Sequence, residues 1–126
     1  WPTDLLPELT GINQRSPSGT KIFNTMHDGG FLEFYCRRLR VFIDDRCELF
    51  GESFLRDYVD AERNHPERID DWQREYDFRW ALVRNETPFD AFLQADSRWK
   101  KVRRGNCATL YQLRSASPQN GLVYGL

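Results

Sequence analysis

The sequence predicts an α/β fold, a layered sandwich with a mostly parallel central sheet and an antiparallel C-terminal hairpin at one edge. Short β-forming apolar runs alternate along the chain with segments whose apolar residues recur at helical spacing, as in layered α/β domains. The run Val41-Phe42-Ile43 has no polar position, which favours a strand buried on both faces. Near the end of the chain, two β-rich runs flank Gly105-Asn106, and this spacing predicts a tight hairpin.

Length and composition are those of one globular domain. The chain has 126 residues, of which 40% are hydrophobic and 14% aromatic, enough for a buried core and too many for general disorder. Its net charge of -1 argues against a nucleic-acid-binding protein, and no run of about 18 apolar residues predicts a membrane span. We expect one α/β domain over residues 1–114 and a loose, glycine-rich tail over 115–126.

Turn, cap and breaker residues give the predicted elements in order. Helices are expected over 4–9 and 31–38, and strands over 21–26 and 39–43. A long helical region from Gly51 to Tyr76 is interrupted at His65-Pro66, because proline removes a backbone donor. A third buried strand is expected over 79–83, and Thr87 with Pro88 opens another helix. The two strands of the hairpin are expected over 99–104 and 107–113.

The cysteines predict neither a zinc site nor any other cofactor. Cys36, Cys47 and Cys107 form no C-x-x-C pair, and no histidine lies at ligand spacing from them. Cys36 and Cys107 stand among apolar residues, which favours buried thiols.

Polar residues follow each of the three predicted parallel strands. In open α/β sheets, ligands bind beyond the carboxyl ends of such strands, so these groups should gather at one border of the sheet. The candidate binding residues are His27, Asp28, Gly29 and Gly30 after the first strand, and Asp44, Asp45, Arg46 and Glu48 after the second. The polar residues after the third strand are Arg84, Asn85 and Glu86.

Each local motif at this border has two interpretations. The segment from His27 to Gly30 could present backbone N–H groups to an anion or a sugar hydroxyl. Alternatively, Asp28 caps the helix, the glycines permit the turn and His27 is a surface residue. Asp44 and Asp45 could hold a divalent cation or act as an acid/base pair, which would suit a small metal-dependent hydrolase or transferase. Alternatively, Arg46 neutralises one of these carboxylates.

Two further features have alternative interpretations. The first is a run of five cations: Arg98, Lys100, Lys101, Arg103 and Arg104. One interpretation is that the run protects a sheet edge from aggregation, and the other is that it contacts phospholipid headgroups. A protein-interaction module is the third functional alternative, and it requires an exposed aromatic patch around Trp72, Trp80 or Trp99. We expect Trp80 in the core and Trp72 mostly buried.

The stretch from residue 21 to residue 114 carries a series of motifs with a family resemblance. They are Asn24-Thr-Met-His-Asp-Gly-Gly-Phe-Leu32, Arg40-Val-Phe-Ile-Asp-Asp-Arg46, Glu48-Leu-Phe-Gly51, Arg79-Trp-Ala-Leu-Val-Arg84, Trp99-Lys-Lys-Val102 and Ala108-Thr-Leu-Tyr111. Together they resemble the soluble C-terminal domain of bacterial multi-pass membrane glycosyltransferases of the mannosyltransferase and oligosaccharyltransferase type.

This resemblance implies an accessory, noncatalytic domain on the extracytoplasmic face of the bacterial cytoplasmic membrane. Transfer chemistry would lie in the membrane portion of a longer parent protein, and the absence of an initiator Met fits such a chain. The partners expected on this basis are the rest of that parent and a glycan or lipid-linked sugar. The border of Asp28, Gly29, Gly30, Asp44 and Arg46 would position the acceptor or donor, or the domain would give structural support.

Overall fold

A computed structural model describes residues 1–43 and 52–114 of the chain. Its single sheet has the order β2-β1-β3-β5-β4 and is mixed: β1 pairs in parallel with β2 and β3, whereas β5 pairs antiparallel with β3 and β4. The predicted α/β class with a hairpin at one edge is therefore confirmed. The strands are β1 (Lys21–Asn24), β2 (Arg40–Val41), β3 (Trp80–Arg84), β4 (Trp99–Arg104) and β5 (Ala108–Leu113).

Capping and breaking residues predict the bounds of the later helices better than those of the first two. The helix predicted over 4–9 is Leu6–Arg15, and the helix predicted over 31–38 begins at Gly29 and ends at Tyr35. His65-Pro66 separates α3 from α4, and Thr87 caps α5 by accepting a hydrogen bond from the Asp90 N–H. Short 3-10 turns at Thr3–Leu5 and Met26–Asp28 precede α1 and α2. The helices are α1 (Leu6–Arg15), α2 (Gly29–Tyr35), α3 (Glu52–Asn64), α4 (Arg68–Tyr76) and α5 (Pro88–Ala95). None of the helices in the described ranges is long and apolar enough to cross a bilayer.

The sheet is the middle layer between two separate cores. Successive strand residues point to opposite faces, so Ile22 and Phe23 belong to different clusters, as do Leu82 and Val83. One cluster joins the sheet to α3, α4 and α5 and is rich in aromatic rings. The other joins it to α1 and α2 and is mostly aliphatic.

Strand β2 is shorter than the predicted strand over 39–43. Only Arg40 and Val41 enter the ladder with β1. The N–H groups of Phe42 and Ile43 instead donate to Oδ1 of Asn24, at 2.8 and 3.3 Å. A side chain thus replaces the backbone partner where the predicted strand would continue.

Cys36 is a buried thiol, as predicted. Its side chain is 0% exposed, its S–H donates to the Leu9 carbonyl at 3.6 Å, and burial raises its pKa to about 11. Cys107 is only half-buried. Cys47, like the predicted tail over 115–126, lies outside the described residues.

The hairpin tip has three residues between its strands, one more than the predicted Gly105-Asn106. Gly105 donates its N–H to the Ala108 carbonyl at 2.8 Å, and the Asn106 N–H donates to Asp4 Oδ2 at 2.8 Å. Arg103 adds an ion pair to Glu8 at 3.0 Å. The tip of the hairpin is therefore docked on the N-terminal segment and α1.

Gly105→Ala should destabilise the protein because the tip leaves no room for a methyl group. A Cβ there would lie 2.7 Å from Asp4 Oδ2 and 3.0 Å from both the Ala108 carbonyl oxygen and Leu5 Cγ. We expect a loss of about 1–3 kcal/mol in the free energy of unfolding, measured by urea denaturation.

Gly30→Ala is the matched control, since its Cβ would meet no atom within 4 Å. Its helical position should make the protein equally stable or up to about 1 kcal/mol more stable. Equal effects of the two substitutions would show that the tip is not tightly docked.

Candidate functional site

The carboxyl ends of β1, β2 and β3 form one border of the sheet, as the parallel pairing requires. Asn24 holds this border together from a fully buried position. Its Nδ2 donates to the carbonyls of Ile43 at 2.6 Å and Thr25 at 2.9 Å, while its Oδ1 accepts from Phe42. The end of β1 and the chain leaving β2 are thus tied together by one amide side chain.

Asp28 lies at this border, in the 3-10 turn directly after β1, and its side chain is 0% exposed. Its Oδ2 accepts a hydrogen bond from Thr25 Oγ1 at 2.9 Å and lies 3.6 Å from Nε of Arg84. Its Oδ1 is buried and finds no hydrogen-bond partner among residues 1–43 and 52–114. The site therefore contains a buried carboxylate oxygen for which the described residues supply no donor.

Arg84, at the end of β3, connects this carboxylate with the surface. Its side chain is 24% exposed, and its guanidinium carries donors beyond the Nε that faces Asp28. The pairing joins residues from two neighbouring strand ends, as the parallel topology predicts. A ligand reaching Arg84 would meet a positive charge first and the carboxylate behind it.

The local prediction for residues 27–30 differs from the structure in two respects. Asp28 occupies the N-cap position of α2, but its side chain makes no capping hydrogen bond. Gly29 has a helical backbone with φ -61° and ψ -46°, and Gly30 is an exposed residue inside α2. Neither glycine is therefore needed for a left-handed turn. His27 is exposed, as expected, and stacks on Trp1 at 5.7 Å.

The second group of predicted site residues, Asp44, Asp45, Arg46 and Glu48, lies outside the described residues. Ile43, which precedes Asp44 in the chain, is held at the carboxyl border by Asn24. That these four side chains gather near Asp28 stays a prediction, as does a metal site built on the two aspartates. Within the described part of the chain, no three histidine, cysteine or acidic side chains are grouped to hold a metal ion.

Tyr58 supports the turn that carries Asp28. Its hydroxyl accepts a hydrogen bond from the Met26 N–H at 2.8 Å and donates to Glu62 Oε2 at 3.1 Å. Burial raises the pKa of Tyr58 strongly, and the nearby Glu62 carboxylate raises it further. This neutral phenol anchors α3 to the residue two positions before Asp28.

A second buried carboxylate, Asp90, was not identified from the sequence. Its Oδ1 accepts from the Tyr111 hydroxyl at 2.6 Å, and its Oδ2 accepts from the Glu86 N–H at 2.9 Å and from Arg104 at 3.1 Å. Burial raises the Asp90 pKa, but the hydrogen bonds from Tyr111, Glu86 and Arg104 outweigh it, so the pKa is lowered overall. All of these donors belong to the protein, and Asp90 is a structural group that joins α5 to the hairpin.

The predicted cationic run does not form a patch of five unpaired charges. Arg98 pairs with Asp70 and with Asp96 at 2.9 Å, Arg103 pairs with Glu8, and Arg104 pairs with Asp90. The two remaining members, Lys100 and Lys101, lie exposed on β4. Headgroup contact by this run would therefore rest on two lysines.

The predicted tryptophan patch is also not formed. Trp72 is 3% exposed, as expected, and Trp99 is 4% exposed. Trp80 is half-buried against the aliphatic cluster rather than fully in the core. A protein-interaction surface made of these three rings is therefore not available in the folded chain.

An aromatic cleft lies away from the Asp28 border, beside β2. It encloses about 450 Å³, and two cations, Lys21 and Arg40, line it at the amino ends of β1 and β2. Its other lining residues are Ile22, Val41, Phe42, Phe54, Tyr76 and Phe78. The cleft lies at the amino ends of β1 and β2, so it is not the binding region that the polar residues at the carboxyl ends predict.

Comparison of the chain with family models, with curated proteins and with solved structures finds no match in any of the three. The glycosyltransferase resemblance therefore stays an expectation from the motifs. The site itself offers an acceptor oxygen on Asp28 and a guanidinium on Arg84. That combination can accept a hydrogen bond from a hydroxyl or amide and attract an anionic group.

Proposed function

We propose that this chain is a noncatalytic accessory domain of a membrane-bound glycosyltransferase-like protein, in which the carboxyl border of the sheet positions a sugar acceptor or a lipid-linked sugar. The observation that carries the proposal is the buried Oδ1 of Asp28, which has no donor among the described residues. Leaving such an acceptor unpaired costs about 1–3 kcal/mol, so a ligand that supplies the donor binds with that advantage.

The chemistry of the two side chains favours a sugar phosphate over other ligands. An ionised carboxylate only accepts hydrogen bonds, so its partner must carry hydroxyl or amide hydrogens. A guanidinium only donates, and it binds phosphate oxygens well. Sugar phosphates carry hydroxyl donors and an anionic group close together, which matches Asp28 beside Arg84 at 3.6 Å.

Positioning suits this site because the carboxylate is held in one orientation. Thr25 and Arg84 both contact Oδ2 of Asp28, and Asn24 and Tyr58 hold the backbone of the two residues, 25 and 26, that lead into its turn. Groups held by such surrounding contacts are effective in binding and orienting a ligand. The resemblance supports the same role, since it assigns the transfer chemistry to the membrane portion of a parent protein.

Asp28→Asn should weaken the binding of mannose 1-phosphate by about tenfold or more, because the variant replaces an acceptor and a charge. Isothermal titration with millimolar sugar phosphate measures the affinity. Amide chemical shifts in ¹⁵N-labelled protein locate the contact, and we expect them to move over residues 24–30 and at Arg84.

Asp96→Asn is the matched control, because it removes one carboxylate that is already paired with Arg98. It should leave the affinity unchanged. If mannose 1-phosphate does not shift residues 24–30 and 84, or if both variants weaken binding equally, the border has a structural role and the proposal is wrong.

A further inference from the structure

A row of aromatic side chains is exposed on the side of α2 that faces solvent. Trp1 is 67% exposed, Phe34 71% and Tyr35 43%. In the described ranges, Val102 is the other exposed large hydrophobic residue, at 38%. We call this surface the aromatic face; it consists of Trp1, His27, Phe31, Phe34 and Tyr35. Contiguous exposed apolar surface of this kind marks an interaction site more often than scattered single residues do.

The rings of the aromatic face are packed against one another. The Trp1 indole stacks on His27 at 5.7 Å and on Phe31 at 5.9 Å, with interplanar angles of 28° and 19°. Tyr35 lies 4.8 Å from Phe31 and 4.8 Å from Phe34. Phe31 is only 5% exposed and belongs to the aliphatic cluster, so it anchors the exposed rings to the core.

Two arginines follow the aromatic face directly in the chain. Arg37 and Arg38 are both exposed, and no carboxylate in residues 1–43 or 52–114 lies within ion-pair distance of them. Arg38 donates to the carbonyls of Gln14 and Ser16, which orders its side chain without neutralising its charge. Two positive charges therefore follow the rings of α2 within three residues of Tyr35.

We propose that the aromatic face and these arginines dock on an anionic phospholipid surface. Tryptophan and tyrosine rings favour the interface between water and hydrocarbon, because they combine an apolar body with a polar group. Clustered arginines are attracted to anionic headgroups, and this attraction weakens as salt is added. The exposed rings and the unpaired arginines are consecutive in the chain here, whereas three of the five cations near β4 are paired with carboxylates.

This inference goes beyond the proposed function and does not depend on it. The aromatic face requires neither Asp28 nor a sugar, although His27 and Asp28 are neighbours in the same 3-10 turn. If both hold, the sugar-positioning border lies close to the membrane plane. Vesicles without glycolipid test the docking alone, so failure of either proposal is distinguishable from failure of the other.

Vesicle co-sedimentation of the whole chain tests the proposal. The probe is a vesicle of phosphatidylcholine with about one half phosphatidylglycerol, compared with pure phosphatidylcholine. We expect binding to the anionic vesicle, loss of most of that binding without phosphatidylglycerol, and weaker binding at high salt. Fluorescence should shift to the blue at the same time, because Trp1 is the most exposed tryptophan in the described structure.

Two variants separate the apolar and the electrostatic contributions. Phe34→Ser with Tyr35→Ser should lower the partition coefficient at least tenfold at any salt concentration. Arg37→Gln should lower it about fivefold at low salt and much less at high salt. All three side chains are exposed, so both variants should fold.

The matched controls are exposed residues of β4. Val102→Ser removes the other exposed hydrophobic residue, and Lys100→Gln with Lys101→Gln removes two exposed charges from β4. These controls should leave vesicle binding unchanged. The proposal is overturned if the wild type fails to bind anionic vesicles or if the controls weaken binding as much as the face variants.

Discussion

Phe23→Ala should lower the free energy of unfolding by about 3–5 kcal/mol, the largest effect that we expect from a single apolar truncation. Phe23 is 0% exposed at the centre of the aromatic layer. Its ring lies 5.3 Å from that of Phe78, 5.2 Å from Phe89 in an edge-on arrangement, and 6.2 Å from Trp72. Rings from α4, α5 and the approach to β3 would face the resulting cavity together.

Urea denaturation followed by far-ultraviolet circular dichroism measures this loss. Phe34→Ala is the matched control, since the same ring is removed from a side chain that is 71% exposed. The control should change the stability by less than about 0.5 kcal/mol. A loss below about 1 kcal/mol for Phe23→Ala would show that the aromatic layer is not packed around this ring.

Asp90→Ala should destabilise the protein by about 3–5 kcal/mol, because it leaves several buried donors without an acceptor. The Tyr111 hydroxyl, the Glu86 N–H and the Arg104 guanidinium all donate to this carboxylate. Tyr111 is 0% exposed, so water cannot readily replace the lost partner. Asp71→Ala, in an exposed ion pair with Arg74, is the control and should cost less than about 1 kcal/mol.

The pH dependence of stability gives an independent test of the Asp90 network. The folded-state pKa of Asp90 lies below its ordinary value of 3.8, so the unfolded chain takes up this proton first. The stabilisation is therefore fully present above about pH 5 and is lost as the pH falls through the folded-state pKa. The stability difference between wild type and Asp90→Ala should shrink as the pH falls below about 4; a constant difference would contradict the network.

The elements could be predicted because their signals are local. The break between α3 and α4 follows from His65-Pro66, and the start of α5 follows from Thr87, whose hydroxyl accepts from the Asp90 N–H as a cap does. Alternating apolar and helical segments then fix the class of fold. The shortening of β2 was not predictable in this way, because it depends on the side chain of Asn24, a residue of another strand.

Parallel topology predicts that Asp28 and Arg84 share one border, but the contacts of the buried polar pairs could not be predicted because the partners are distant in the chain. Asp28 and Arg84 meet only after β1 and β3 have paired, and Asp90 meets Tyr111 only after α5 has packed against β5. From the sequence, Asp28 was a cap candidate, and Asp90 was not identified. The collection of polar groups at one border was the useful prediction, since it depended on parallel topology rather than on a local motif.

The exposure of the aromatic face could not be predicted from the sequence for a different reason. Helix α2 is only seven residues long, and four of its residues are apolar or aromatic. Its composition cannot tell which of them face the core. In the structure, Phe31 and Leu32 are buried, whereas Phe34 and Tyr35 face water. An exposed pair of rings becomes visible only when the packing against α1 and the sheet is known.

The parallel pairing of β1 with β3 has a consequence for synthesis of the chain. Ile22 of β1 pairs with Trp80 of β3, so β1 is made by the ribosome long before β3, the middle strand of the sheet and its partner on one edge. The hairpin of β4 and β5 closes through a short loop, whereas the central pairing must wait for the intervening helices. During translation, β1 can pair with β2, but its other edge stays unpaired until β3 is made, and chaperones protect exposed apolar segments of this kind.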